Sequence, residues 1–330
     1  MAKDIIIAKN LKKWFPLRTG LLSSILKKEQ FFVHAVDGIS FNIKKGEIFA
    51  LAGESGSGKT TTGRLLVRLI EPTDGVIIYD GKDITKLSQK EFMPYRKKLQ
   101  IIFQDPYESL NPRMLIYDII AEPLTIHGFS EKEKEERVFK ALEDVRLVPP
   151  QEFIFRFPHE LSGGQRQRVA IARALVLNPE FIVADEPVSM LDVSIRAEIL
   201  NLMFELKEKY GMTILYITHD LALARHICDS IAIMYLGKIM EMGSVDEVIN
   251  EPLHPYTEAL IEAVPVPDPE ASRIETVLKG EIPSPVNPPS GCRFHTRCPK
   301  YIGDICKAKE PKLTEISKGR YVACHLYSSK

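Results

Sequence analysis

The chain of 330 residues carries 44 Lys and Arg against 44 Asp and Glu, with 45% hydrophobic and 27% charged side chains. That balance excludes wholesale disorder and offers no strongly basic surface for nucleic acid as the main partner, while the length implies roughly two domains. No apolar run approaches the ~18 residues of a membrane span. The four-residue run Ile5–Ala8 is too short for a secretory signal, so the chain is expected to fold in the cytosol without spanning a membrane.

The aromatic pair Trp14-Phe15 lies near the start, and residues 19–32 read as a loop insertion. Ile48–Gly53 reads as a buried strand entering a glycine-rich loop, and Thr60–Ile70 as the helix that follows. Residues 105–177 form a mostly helical insertion. Within it, Ser130–Arg146 is a helix opened by a capping box of Ser130 and Glu133, with an apolar stripe of Val138, Leu142 and Val145. Phe181–Asp185 and Thr213–Thr218 are further buried strands. Strand-then-helix alternation predicts an α/β fold with parallel strands and ligands at their carboxyl ends. Eleven of the 22 prolines lie in residues 251–330, which places a boundary near Asn250 between a regular domain (1–250) and a small irregular, Pro- and Cys-rich extension (251–330).

Gly53-Glu54-Ser55-Gly56-Ser57-Gly58-Lys59-Thr60 fits the P-loop pattern, with Thr61 next in the chain. Glycines let backbone N–H groups surround phosphate oxygens, Lys59 reaches the β- and γ-phosphates, and the Thr60 hydroxyl suits Mg²⁺. Phe181-Ile182-Val183-Ala184-Asp185 ends a buried strand in a carboxylate for the Mg²⁺ shell, and Glu186 follows to orient or deprotonate the attacking water. Leu161-Ser162-Gly163-Gly164-Gln165 opens a helical segment, Arg166–Leu177. Composition alone gives that pentapeptide in about one chain of this length in two thousand.

Together these strings resemble the ATP-binding cassette (ABC) family over residues 4–250. The resemblance implies a P-loop ABC nucleotide-binding domain with a helical subdomain, hydrolysing ATP with Mg²⁺ as cofactor. It makes Gln104 the glutamine that touches Mg²⁺ and water, Ser189-Met190-Leu191-Asp192 the D-loop, His219 the switch at the γ-phosphate, and Phe15 the aromatic on adenine, with Trp14 its rival. Thr60, Gln104 and Asp185 would hold Mg²⁺, and Glu186, His219, Gln104 and Lys59 would serve catalysis. Two cassettes would dock head to tail, each ATP lying between one P-loop and the other cassette's Ser162, Gly164 and Gln165.

The extension narrows the resemblance. His254-Pro255-Tyr256-Thr257, Gly280–Pro285 and Gly291-Cys292-Arg293-Phe294-His295-Thr296-Arg297-Cys298-Pro299 look like the tail of oligopeptide/dipeptide importer ATPases, most closely the "F" subunit. Nickel importers of the same subfamily, or a soluble ABC regulator without a transport role, are the alternatives. Import implies two transmembrane permease subunits, a sister ATPase or second copy, indirect action of an extracellular peptide-binding protein, and a peripheral place on the cytoplasmic face. The groove for the permease is expected around 113–124, whose Leu115, Ile116, Ile119 and Ile120 read equally well as core.

Cys292, Cys298, Cys306 and Cys324, spaced C-x5-C-x7-C-x17-C, read as a metal site rather than disulfides. Four thiolates suit a [4Fe-4S] cluster or tetrahedral Zn²⁺, and the resemblance favours the cluster. Cys228, between Ile227 and Ile231, reads as a buried free thiol.

Overall fold

The computed structural model describes residues 3–17, 31–263 and 280–327. The expected insertion at 19–32 falls, up to residue 30, outside the described residues. Those described carry twelve strands: β1 (Asp4–Pro16), β2 (Phe32–Lys44), β3 (Ile48–Ala52), β4 (Asp74–Tyr79), β5 (Lys82–Asp83), β6 (Leu99–Ile102), β7 (Phe181–Asp185), β8 (Thr213–Thr218), β9 (Ser230–Tyr235), β10 (Lys238–Ser244), β11 (Thr314–Ser317) and β12 (Arg320–Val322).

The chain divides into two compact units. One comprises Lys3–Ile43, Ile48–Lys86 and Ile217–Lys330, the other Lys44–Glu47 and Leu87–Tyr216. In the first, β2-β1-β4-β5 form one sheet in which β1 runs antiparallel to β4 and β4 to β5. The alternation reading did not anticipate this sheet. Its interior is carried by Ile5, Ile6, Ala8 and Leu11 of β1 with Ile77 and Tyr79 of β4. In the same unit β3 pairs parallel with β9, and the order continues through β10 and β12 to β11. The second unit holds the parallel pair β6 and β7 and, beside β7, the first four residues of β8, Thr213–Tyr216. Strands β3, β7 and β8 are buried along their whole length, as continuous apolar runs in a covered parallel sheet should be.

Helix ends follow local chemistry. The helix after the P-loop, Lys59–Leu66, stops earlier than expected because Arg68 turns left-handed (φ +52°) and sends its guanidinium to the Ile84 carbonyl at 2.7 Å. The Ser130–Glu133 capping box opens Glu131–Asp144 as read from sequence, and Val138, Leu142 and Val145 are fully buried. In helix Ile116–Ile126, Ile116, Ile119 and Ile120 are core residues and Leu115 is half-buried. Their apolar character therefore serves packing, and the exposed surface nearby is Tyr107, Asn111, Pro112 and Arg113.

The tail is less irregular than its composition suggests. Helix Pro255–Glu262 begins it, and β12 pairs antiparallel with β10, so the extension caps a sheet edge that would otherwise stand open. Buried Glu241 of β10 accepts the N–H groups of Leu253 and His254, both at 2.9 Å, and pairs with Arg320 at 3.4 Å. No helix among the described residues is long and apolar enough to cross a membrane.

Candidate nucleotide site

In the first unit β3 runs directly into the P-loop. Gly53 (φ +147°) and Gly58 (φ +104°) hold backbone conformations that side chains resist, and a Cβ on either would lie 2.2 Å from the Met234 carbonyl oxygen or 2.1 Å from that of Ala35. The loop is thus pressed against two neighbouring backbones. Lys59 is buried and donates from Nζ to the carbonyls of Gly53 (2.8 Å) and Glu54 (3.0 Å), which folds the loop around its own lysine. Among the described residues Ser57 Oγ is buried without a hydrogen-bond partner, a spare polar group inside the cradle.

Glu54 is tied on every side. Its N–H donates to the Tyr256 hydroxyl at 2.9 Å, and its carboxylate receives both Arg297 terminal nitrogens, at 2.8 and 3.2 Å. Burial opposes the Arg297 charge, but hydrogen bonds to Glu54 and the Tyr235 hydroxyl outweigh it and raise the guanidinium pKa. Removing one member of a buried ion pair strands the other charge and costs about 3–5 kcal/mol, far more than replacing both. Tyr235, Tyr256 and Phe294 pack ring against ring at 4.7–5.4 Å between centroids. His254 beside them is completely buried, its pKa pushed down to about 3, so it stays neutral and accepts the Tyr256 N–H through Nδ1.

At the other end of this unit's site Trp14 stacks on His34 (4.3 Å, 24°) and donates Nε1–H to Asp37 at 3.1 Å. Burial opposes the Asp37 charge, yet Lys238, Arg293 and the Trp14 N–H hold its carboxyl below the ordinary value. Phe15 stands exposed, with Lys13 Nζ 5.1 Å from its ring centre. Of the two aromatics, Trp14 is committed to packing and Phe15 is the exposed one. His219 is exposed where β8 ends, ahead of the helix Leu221–Ile227 that Asp220 caps.

The second unit holds the acidic residues and the signature. Asp185 is buried at the end of β7. Glu186, in the left-handed region at φ +45°, accepts a hydrogen bond from Gln104 Nε2 at 3.1 Å. That engagement uses the amide nitrogen of Gln104 and leaves the oxygen as the atom suited to a hard cation. Ser162 caps helix Gly163–Leu175 in a reciprocal box with Gln165, so the signature marks a helix start three residues earlier than the periodicity alone suggests. Arg166 lies over the Tyr107 ring at 3.8 Å and hydrogen-bonds its hydroxyl, while Arg173 donates to the Ser109 carbonyl at 2.6 Å. The segment after Gln104 is therefore fastened to the signature helix. Arg196 likewise fixes the D-loop through the carbonyls of Leu191 and Ser189.

Cys292, Cys298, Cys306 and Cys324 line a single small cavity with His254, His295 and His325. Burial, with the neighbouring thiols, pushes the Cys292 pKa up to about 12, and burial also raises those of Cys298 and Cys324. The donor chemistry suits a thiolate-held metal, but among the described residues no group of three or more Cys, His, Asp or Glu is arranged to hold an ion. Cys228 is the buried free thiol expected, its pKa raised by burial.

Sequence reasoning missed Arg297, Arg293 and Asp37 as parts of the site. The signal available was two arginines inside the cysteine-bearing string, with nothing local to name their partners.

Residues 36–189 match the family model "ABC transporter", and residues 240–306 match "Oligopeptide/dipeptide transporter, C-terminal region". The chain is 50% identical over 330 residues to the oligopeptide transport ATP-binding protein AppF of Bacillus subtilis, covering 99% of this chain and 98% of that protein. Among solved structures it resembles the dimeric post-hydrolysis ATP-binding cassette MJ0796 bound to ADP and Pi, with TM-score 0.63 and 30% identity over 73% of this chain and 98% of that one. It also resembles cbiO1 of Clostridium perfringens, part of the transporter complex cbiONQ, with TM-score 0.63 and 31% identity over 76% of this chain and 92% of that one. The chain belongs to the ABC transporter ATP-binding proteins and carries the oligopeptide/dipeptide transporter C-terminal region.

Proposed function

We propose that this ABC ATPase is the ATP-hydrolysing subunit that powers import of di- or oligopeptides, working as a pair of cassettes on two transmembrane permease subunits. The observation that carries this reading is the joint presence, on one chain, of a match to the ABC transporter family and of the oligopeptide/dipeptide transporter C-terminal region. Residues 1–250 act as the ATP-binding domain and 251–330 as its extension. The pair is this chain with a sister ATPase or a second copy, at the cytoplasmic face, with an extracellular peptide-binding protein acting through the permease.

Each side chain then has a defined task. Residues Gly53–Thr61 hold the triphosphate, with Lys59 on its β- and γ-oxygens and Phe15 against adenine. Thr60, Asp185 and the Gln104 oxygen would hold Mg²⁺, which would supply positive charge to offset that of the phosphates. Ser162, Gly164 and Gln165 of the opposing cassette close the site, their helix N-terminus adding positive partial charge. Glu186, steadied by the Gln104 N–H, takes the proton of the attacking water as the new oxygen–phosphorus bond forms and the bridging bond to ADP breaks. His219 contacts the γ-phosphate and registers its loss. Hydrolysis removes the phosphate that links the two cassettes, so they open, and that motion is the output delivered to the permease.

We also propose that Cys292, Cys298, Cys306 and Cys324 hold a [4Fe-4S] cluster, or Zn²⁺ in its place. Support comes from four thiols around one cavity, of which Cys292, Cys298 and Cys324 have their ionisation opposed by burial until a cation compensates. Bound there, the metal would staple a tail too rich in proline to build a large core of its own.

Glu186→Gln is expected to retain ATP and accumulate as a closed cassette pair by size-exclusion chromatography; wild-type turnover in that variant overturns the base assignment. In vesicles with permease and binding protein, ATP hydrolysis is expected to rise with di- or oligopeptide. A response to nickel ions alone reassigns the cargo, and failure to co-purify with any permease favours a soluble regulator. Protein purified without oxygen is expected to contain about four irons and four sulfides per chain with a broad band near 400 nm. One zinc without iron makes the tail a zinc staple, and neither metal removes the proposal.

A further inference from the structure

The Cys292–Cys298 segment sends one arginine to each end of its unit's nucleotide site. Arg297, beside Cys298, clamps the carboxylate of P-loop Glu54 through two hydrogen bonds while its own side chain is only 7% exposed. Arg293, beside Cys292, reaches Asp37 at 2.5 Å, and the other Asp37 oxygen receives the Trp14 N–H next to Phe15. These partners lie 243 and 256 residues away in sequence. Glu54 places a negative charge in a loop built for phosphate, and that charge repels the ligand unless another group holds and neutralises it. The planar guanidinium fork is the side chain suited to do both, since it fixes a carboxylate in direction as well as charge.

We propose that Arg297 is a positioning residue for ATP binding: it holds the Glu54 carboxylate away from the phosphates and, with the Tyr256 hydroxyl on the Glu54 N–H, sets the first turn of the P-loop. Arg293 does the parallel task for Asp37 and the aromatic platform. The extension is thereby part of the nucleotide site and not an appendage to it. This inference rests on the ATPase reading above. It touches no reacting atom, so it governs affinity for ATP and leaves the chemical step to Lys59, Glu186 and their partners.

The test is a charge-compensation cycle on the full-length chain, reading equilibrium ATP binding together with KM and kcat in the assembled transporter. Arg297→Ala is expected to weaken ATP binding and raise KM by about tenfold, with kcat at saturating ATP within about twofold. Arg297→Lys, which keeps the charge and loses the fork, should fall between. In a Glu54→Gln background the same Arg297→Ala step should cost less than about threefold, because no carboxylate is left to restrain. Equal ATP affinity in wild type and Arg297→Ala overturns the proposal. So does an undiminished loss in the Glu54→Gln background, which would mean that Arg297 only supports the fold of the tail. Absence of ATP binding by the wild-type chain would count against the ATPase reading itself, which separates the two failures.

Discussion

A loop that cradles phosphate must offer its backbone N–H groups to the ligand, so it has to be held in shape by something else. In this chain that constraint is met from three directions. Lys59 grips the carbonyls of Gly53 and Glu54, the backbones of Ala35 and Met234 press on Gly58 and Gly53, and Tyr256 with Arg297 secures Glu54 from the C-terminal extension. The first two means lie within or next to the loop. The third recruits residues more than 200 positions away and makes the tail part of how the site is built.

The chemistry-bearing strings were legible in sequence because each answers a local backbone demand. Gly53 and Gly58 stand where no side chain fits, Ser162 and Gln165 satisfy each other at a helix start, and Phe181–Asp185 is buried end to end, so each pattern is written in consecutive residues. What was not legible depends on partners distant in the chain. Nothing in Arg293-Phe294-His295-Thr296-Arg297 announces a P-loop carboxylate or Asp37 as its counterpart. The antiparallel sheet of β1, β2, β4 and β5 escaped for a related reason: its pairings join residues 4–12 to residues 74–79, and strand alternation reports faces but not partners. The run from Leu115 to Ile120 was ambiguous between core and docking surface because apolar periodicity is the same for both, and burial resolves it toward core.

The residues proposed for nucleotide binding and hydrolysis fall in both compact units. The P-loop, the aromatic platform and His219 belong to one, while Asp185, Glu186, Gln104 and the signature belong to the other. Within the second, Arg166 and Arg173 bind the segment after Gln104 to the helix that Ser162 caps. Within the first, the arginines of the cysteine segment bind the tail to the phosphate loop. Each unit thus carries its own internal linkage, from the segment after Gln104 to the helix at Ser162 in one and from the cysteine-bearing segment to the P-loop in the other.

The proposed function requires the P-loop to bind the triphosphate through Lys59. Equilibrium binding of Mg·ATP to the full-length chain and to its Lys59→Ala variant tests it most directly. Saturable binding by the wild type, weakened by at least about tenfold in the variant, is the expected result, since a charge-assisted contact of this kind is worth that much or more. Equal affinity in the two proteins would contradict the account.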